Sequence, residues 1–246
     1  APAAAVEAWL EAAFAPDADA AAAARAPLPL VEKLLIDRRA AAESADEEAA
    51  EAEVCAPSTL VSLPVDDVYR HAAFAVGPSD VVVDLGAGVG LPGARAVAVH
   101  GAKGAVGIEL SATRVAQGCA ALRRLAATLA AELPPEVAEA EEDDDEGKIE
   151  LRVGDVRDAD VGGASRVLLF ATCFPRPMAA ALQRHLAEEL PDDARVFAVE
   201  ARGWRDGLAV GGGGDGAAAR RLERVRGGDV LAEDDVAERV WRVVSG

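Results

Sequence analysis

An α/β fold built on one mostly parallel sheet is predicted from three features of the chain. Short β-branched runs alternate with helix-patterned segments from Pro78 to about residue 201. The run "DVVVDL" (80–85) is nearly continuously apolar, as a parallel strand buried on both faces is. The alternation then stops: "ARRLERVRG" and "VAERVWRVV" follow with no helical pattern between them, which suits an antiparallel hairpin at the end of the sheet. Five parallel strands and that hairpin make a seven-stranded sheet, with helices on both faces and right-handed crossovers.

In chain order, residues 1–75 form a helical N-terminal region and residues 76–246 the main domain. The Ala-rich start is interrupted at Pro16, Pro27 and Pro29. "LVEKLLIDRRAAAE" sets Leu30, Leu34 and Leu35 on one helical face. A loop is expected around "CAPSTLVSLP" (55–64), then a helix over "VDDVYRHAAFAV" with Val65, Val68, Tyr69 and Ala72 turned inward. The strands are "DVVVDL", "GAVGIEL" (104–110), "KIELRVGD" (148–155), "SRVLLFAT" (165–172) and "ARVFAVEA" (194–201). A long helix starts at Ser111, a candidate N-cap, and "MAAALQRHLAEEL" is the helix between the last two strands. "VGGGGDG" (210–216) reads as a flexible loop. No internal repeat is present.

The 246 residues suffice for one large core, and 51% of them are hydrophobic, with alanine in unusual abundance. No apolar run approaches the roughly 18 residues of a membrane span. No basic segment leads into an apolar one at the start, which argues against a secretory signal, and Ala1 in place of an initiator Met suits a fragment or a processed chain. Cys55, Cys119 and Cys173 are too scattered for a disulfide framework or a zinc knuckle, and His71, His100 and His185 do not pair at metal-ligand spacing. No metal is therefore expected, and a reducing intracellular compartment, cytoplasm or nucleus, is. The net charge of −18 is concentrated in "ESADEEAAEAE" (43–53) and "EAEEDDDEGK" (139–148), which read as solvated segments with an attraction for basic protein tails. Strong unaided nucleic-acid binding is disfavoured, because phosphate contacts need clustered Lys and Arg.

"DVVVDLGAGVG" (80–90) carries the chemistry. The turn after a buried strand is the expected ligand crevice of such a sheet, and Gly86, Ala87, Gly88 and Gly90 bring an almost bare backbone to it. The dinucleotide pattern G-x-G-x-x-G/A fails, since the sixth position from Gly86 is Leu91. Asp84, two residues ahead of the first glycine, would repel a pyrophosphate but can accept from an ammonium or an amide. Glu109, 25 residues on, ends the second strand, where an acid can hold both hydroxyls of a ribose. Asp155, followed by Val156, ends the third and can accept from an adenine amino group. A nucleoside joined through a sulfonium to an amino acid, S-adenosyl-L-methionine, satisfies all three acids.

With those motifs in place the chain resembles the class I, Rossmann-like methyltransferases over about residues 60 to 246. "VVVDLGAGVG", "GAVGIEL" and "LRVGDVRDAD" are similar to the first three motifs of that family. "DLGAGVG", "GIEL" with Arg114 four residues on, and "ATCFPRPMAAALQRHLAEELPDDARVFAVEA" resemble the disruptor-of-telomeric-silencing type of lysine methyltransferase, the histone enzymes without a SET domain. A mitochondrial lysine methyltransferase group shares part of the pattern. Where the histone enzymes carry a Tyr-Gly-Glu signature this chain has "PSTLVSLP", and where they carry paired asparagines it has Ala171-Thr172.

The resemblance implies a protein substrate, a histone or another basic protein, methylated on lysine. It directs Thr172 and Phe174 toward the transferred methyl, Thr172 holding an amine through its hydroxyl and Phe174 lining a channel for the lysine stem. Cys173 reads as an ordinary buried cysteine, and Trp204 and Trp241 as core or surface aromatics rather than a cation cage. Two alternatives stay open: a methyltransferase for a small molecule or RNA, and a catalytically silent cofactor-binding partner protein.

Overall fold

The computed structural model describes residues 3–15, 65–132, 148–171, 174, 176–199, 204, 209–210, 220–225 and 238–245. Helix α1 (Ala3–Phe14) and the short α2 (Val65–Arg70) precede strand β1 (Val81–Leu85). Then come α3 (Leu91–Ala98), β2 (Gly104–Glu109), α4 (Ala112–Glu132) and β3 (Lys148–Val153). A 3-10 turn (Val156–Asp158), β4 (Arg166–Phe170), α5 (Arg176–Glu189) and β5 (Arg195–Val199) complete the alternating part. Strands β6 (Ala209–Val210), β7 (Arg220–Arg224) and β8 (Glu238–Ser245) follow.

All eight strands form one sheet in the order β3-β2-β1-β4-β5-β8-β7-β6. Strands β1 to β5 are mutually parallel, and β8 enters antiparallel between β5 and β7. The seven strands expected from the sequence are all present, and the antiparallel hairpin is β7–β8. The eighth, β6, adds two residues at the edge and takes Val210 out of the segment expected to be a loop. The strand order reverses beside β1, between β2 and β4, so the carboxyl ends around β1 form the switch point of the sheet.

Apolar packing explains the layers. On one face α5 covers the sheet, and Leu182, Leu186 and Leu190 meet Val83, Val167, Leu169 and Val196. On the other, Val65, Val68, Tyr69 and Phe74 pack with Val82, Ala96, Leu168 and Phe197, which joins α2 to the same sheet. Leu10 and Ala13 of α1 close a third cluster with Ala94 of α3 and Leu125 of α4.

The helix expected over residues 65–76 is shorter than its pattern. It ends at Arg70, the amides of Phe74 and Ala75 turn back to the His71 carbonyl, and Val76 N returns to Tyr69 O at 3.0 Å. Ala72, expected inside, is exposed, and Phe74 takes the buried place. A large ring removes more apolar surface from water than a methyl, so the chain turns where it can insert Phe74. The helix expected around Leu30, Leu34 and Leu35, both acidic runs apart from Lys148, and the loop at 55–64 lie outside the described residues.

Candidate active site

The strand ends at the switch point are tied together by backbone amides. Gly86 N and Ala87 N both donate to the Ile108 carbonyl of β2, at 2.9 and 3.1 Å. Gly88 N donates to Glu109 Oε2 at 2.9 Å, and Ser111 N donates to Glu109 Oε1 at 2.8 Å. Gly154 N, past the end of β3, donates to the Glu109 carbonyl at 3.0 Å. Glu109 thus bridges the glycine loop, the entry to α4 and, through its backbone, β3. The Ser111 cap is present as well, Ser111 Oγ accepting from Arg114 N at 3.2 Å. Each Glu109 oxygen keeps a further lone pair, and the residue is also structural: it is buried and holds two amides.

The loop takes its shape from glycine conformations. Gly86, Gly88 and Gly90 have φ of 90°, 56° and 82°, values that side chains rarely adopt. At Gly86 and Gly88 an added Cβ would meet no protein atom within 4 Å, so their faces are open. Ala87, between them, is buried. Gly90 starts α3, with Pro92 in its first turn, and the Tyr69 hydroxyl donates to the Pro92 carbonyl at 2.9 Å. Tyr69 is itself buried, and burial foremost, then the Asp84 and Asp66 charges, raises its pKa well above the ordinary phenol value.

Asp84 is the unusual group. Its carboxylate is 2% exposed, and neither oxygen has a hydrogen-bond partner among the described residues. Burial, and secondarily the Glu109 charge, raises its pKa to about 7. Buried polar atoms are nearly always satisfied, and a lone buried carboxylate is costly enough to call for an explanation. A cationic group brought to this point would supply one.

Asp155 is placed otherwise than a free acceptor. Its carboxylate caps the 3-10 turn, Oδ1 accepting from Arg157 N at 2.9 Å, and it pairs with the Arg157 guanidinium at 2.9 and 2.6 Å. Val156 beside it is buried in the α5-side cluster with Ile108. Gly86, Ala87, Gly88 and Glu109 are brought together by the bonds above, Gly90 N closes the loop on the Ala87 carbonyl at 2.8 Å, and Asp84 sits two residues before Gly86 in β1, with Asp155 and Val156 one strand further out.

Thr172 and Cys173 lie outside the described residues. Phe174 is half-buried against the α5-side cluster, its amide on the Ala171 carbonyl at 3.0 Å. Trp204 and Trp241 form an edge-to-face pair, centroids 5.5 Å apart, with Trp204 Nε1 donating to the Ala179 carbonyl; they are packing aromatics. Among the described residues no group of His, Cys, Asp and Glu could hold a metal, and no helix is long and apolar enough to cross a membrane.

Two features escaped the sequence. Leu110 and Val153, at neighbouring strand ends, are the large hydrophobic residues left exposed among the described residues, at 38% and 57%. Tyr69 supports the first turn of α3 from 23 residues away. Neither carries a sequence signal, because a leucine after a strand and a tyrosine in a helix pattern both read as core.

No family model matches this chain, and no curated protein matches it either. Solved structures do share part of its shape. An RNA methyltransferase from Salinibacter ruber, in complex with S-adenosyl-L-homocysteine, is 23% identical, with a TM-score of 0.43, over 72% of this chain and 87% of its own. A geranyl diphosphate C-methyltransferase from Streptomyces coelicolor A3(2) is 21% identical, with a TM-score of 0.42, over 67% of this chain and 52% of its own. A cyclopropane synthase from Mycobacterium tuberculosis is 16% identical, with a TM-score of 0.38, over 52% of this chain and 38% of its own. Likenesses this distant assign no chemistry here, so the site's own residues must.

Proposed function

We propose that this chain is an S-adenosyl-L-methionine-dependent methyltransferase. The observation that carries the proposal is Asp84, a buried carboxylate with no donor among the described residues, behind a loop in which Gly86 and Gly88 have open faces. A cofactor with an ammonium at one end satisfies that carboxylate, and a phosphate cofactor would aggravate it. Glu109, already fixed by two amides, offers its remaining lone pairs to a pair of hydroxyls. The exposed Leu110 and Val153 are an apolar rim suited to a flat purine, and Asp155 with Val156 closes the same side. When bound, the cofactor supplies a methyl group made electrophilic by its sulfonium. The chain's part is to hold and orient it and to keep water away.

For the acceptor we propose a lysine of a basic protein, such as a histone, with Thr172 and Phe174 at its entry. The net charge of −18 supports a cationic partner over RNA, and "GIEL" with "ATCFPRPM" is the sequence pattern behind it. Residues 1–75 and 76–246 serve in this reading as a helical N-terminal region and the methyltransferase domain, in an intracellular protein.

Calorimetry with S-adenosyl-L-methionine is the direct test of the cofactor. The parent should bind, and Glu109→Ala should bind on the order of 100-fold more weakly or worse, having lost charge-assisted hydrogen bonds to the ribose of about 1.5–3 kcal/mol each together with the anchors of Gly88 N and Ser111 N. No binding by the parent would overturn the cofactor assignment. Transfer of labelled methyl into histones, with none into RNA, is the result expected for the acceptor, and label in RNA alone would refute it.

A further inference from the structure

A second set of contacts, centred on the half-buried Leu151, braces the glycine loop. Leu151 lies in the middle of β3, opposite Gly107 of β2 in register. Its side chain fills a socket made by three glycines on three different elements. An added Cβ at Gly107 would lie 2.5 Å from Leu151 Cδ2 and 2.7 Å from the Ala87 Cβ. One at Gly90 would lie 2.7 Å from Leu151 Cδ2. One at Gly118 of α4 would overlap Leu151 Cδ1 and the Val89 carbonyl together. Cβ atoms do not approach neighbours so closely, so each position must be glycine for Leu151 to sit where it does.

The neighbours of this socket matter as much as its walls. Ala87, Val89 and Gly90 are loop residues, so the socket packs directly against the loop, while the Gly86 and Gly88 positions stay open. From Leu151 we infer a positioning role: it is a strut that sets the height and shape of the glycine loop, and through it the ligand site. The role rests on the proposed function only for what the loop holds; the strut itself is a property of the fold. Strand β3 is the edge of the sheet, so a packing choice at that edge reaches the central site through one side chain.

Four loop amides report on the strut directly, because each is hydrogen-bonded: Gly86 and Ala87 to Ile108 O, Gly88 to Glu109, and Gly90 to Ala87 O. Hydrogen exchange at these amides should quicken by about tenfold or more in Leu151→Ala, as expected when local opening becomes easier. Leu190→Ala is the control. It removes the same side chain from a fully buried place under α5, on the other face of the sheet, and should leave the loop amides near their parental rates once global unfolding is allowed for.

Leu151→Met, which keeps the volume, should restore slow exchange. In parallel, S-adenosyl-L-methionine should bind about tenfold or more weakly to Leu151→Ala and normally to Leu190→Ala, since a misplaced site loses affinity steeply. Should Leu151→Ala not fold, Leu151→Val is read in the same way. Loop exchange unchanged in the smaller variant, or raised equally in the control, would overturn the strut. If the parent binds no S-adenosyl-L-methionine, the proposed function fails while exchange still decides the strut.

Discussion

At the scale of single residues, Asp84 has the most to tell, because its surroundings set its titration. Burial foremost, with the Glu109 charge second, lifts its pKa to about 7 from the model-compound value of 3.8. A carboxyl whose folded pKa lies above its unfolded one stabilises the fold most below the unfolded value. That contribution is lost as pH rises through about 7. The ligand-free chain should therefore lose stability between pH 4 and 8 on account of this residue, and Asp84→Asn should lack that part of the slope. Thermal midpoints of both forms across this range check the expectation. Binding of a ligand ammonium should run the opposite way. Below pH 7 the carboxyl must first release its proton, so affinity should fall by about tenfold per unit of pH. In Asp84→Asn that dependence should disappear, and calorimetry at pH 6 and 8 would reveal it; an unchanged dependence would place the ammonium elsewhere.

At the scale of elements, a cluster of charges fastens α1 and α2 to α3. The Arg95 guanidinium of α3 donates to both oxygens of Asp66 on α2 and to Glu7 Oε1 of α1, the last at 2.7 Å. His100 Nε2 lies 2.8 Å from Asp66 Oδ1. Burial works to raise the Asp66 pKa, but the Arg95 and His100 hydrogen bonds and charges outweigh it and hold the pKa below the ordinary value. A depressed acid stabilises the fold above its unfolded pKa and loses that contribution as pH falls through its folded one. The tie should thus hold at neutral pH and fail in acid, below pH 3.8. Asp66→Ala leaves the Arg95 charge with Glu7 as its remaining partner in this cluster. It should cost about 1–2 kcal/mol, the range of a partly exposed charged hydrogen bond. Amide exchange in α2, which loses its tie to α3, should rise more than in α1, which keeps the Glu7–Arg95 bond, and an equal change in both helices would show that Asp66 does not fasten α2 in particular.

At the scale of the whole molecule, the charge decides how partners arrive. A surface field set by 18 excess negative charges attracts basic proteins and repels nucleic acid. If the proposed basic acceptor is right, association with a histone should slow as salt rises from 0.01 to 0.15 M, where the screening length falls from about 30 to about 8 Å. Stopped-flow rates measure this, and a rate that does not fall with salt would separate charge from recognition.

The sequence by itself determined the seven main strands and their order along the chain, the switch-point loop and the three acids at the strand ends. Those features are written in local spacing: β-branched runs for buried strands, and glycines where the backbone must turn. Only the tertiary structure decided what each acid does. Asp84 meets no donor among the described residues, Glu109 holds amides from two turns, and Asp155 is taken up by Arg157. The early end of α2 at Arg70 was decided the same way, by where Phe74 fits against Tyr69 and Phe197. So was the Leu151 socket, whose glycines stand at 90, 107 and 118 and read in the sequence as unrelated. A pattern along the chain records which face a residue turns toward the core, whereas hydrogen-bond partners and close contacts depend on residues far away in sequence that only the folded sheet brings alongside.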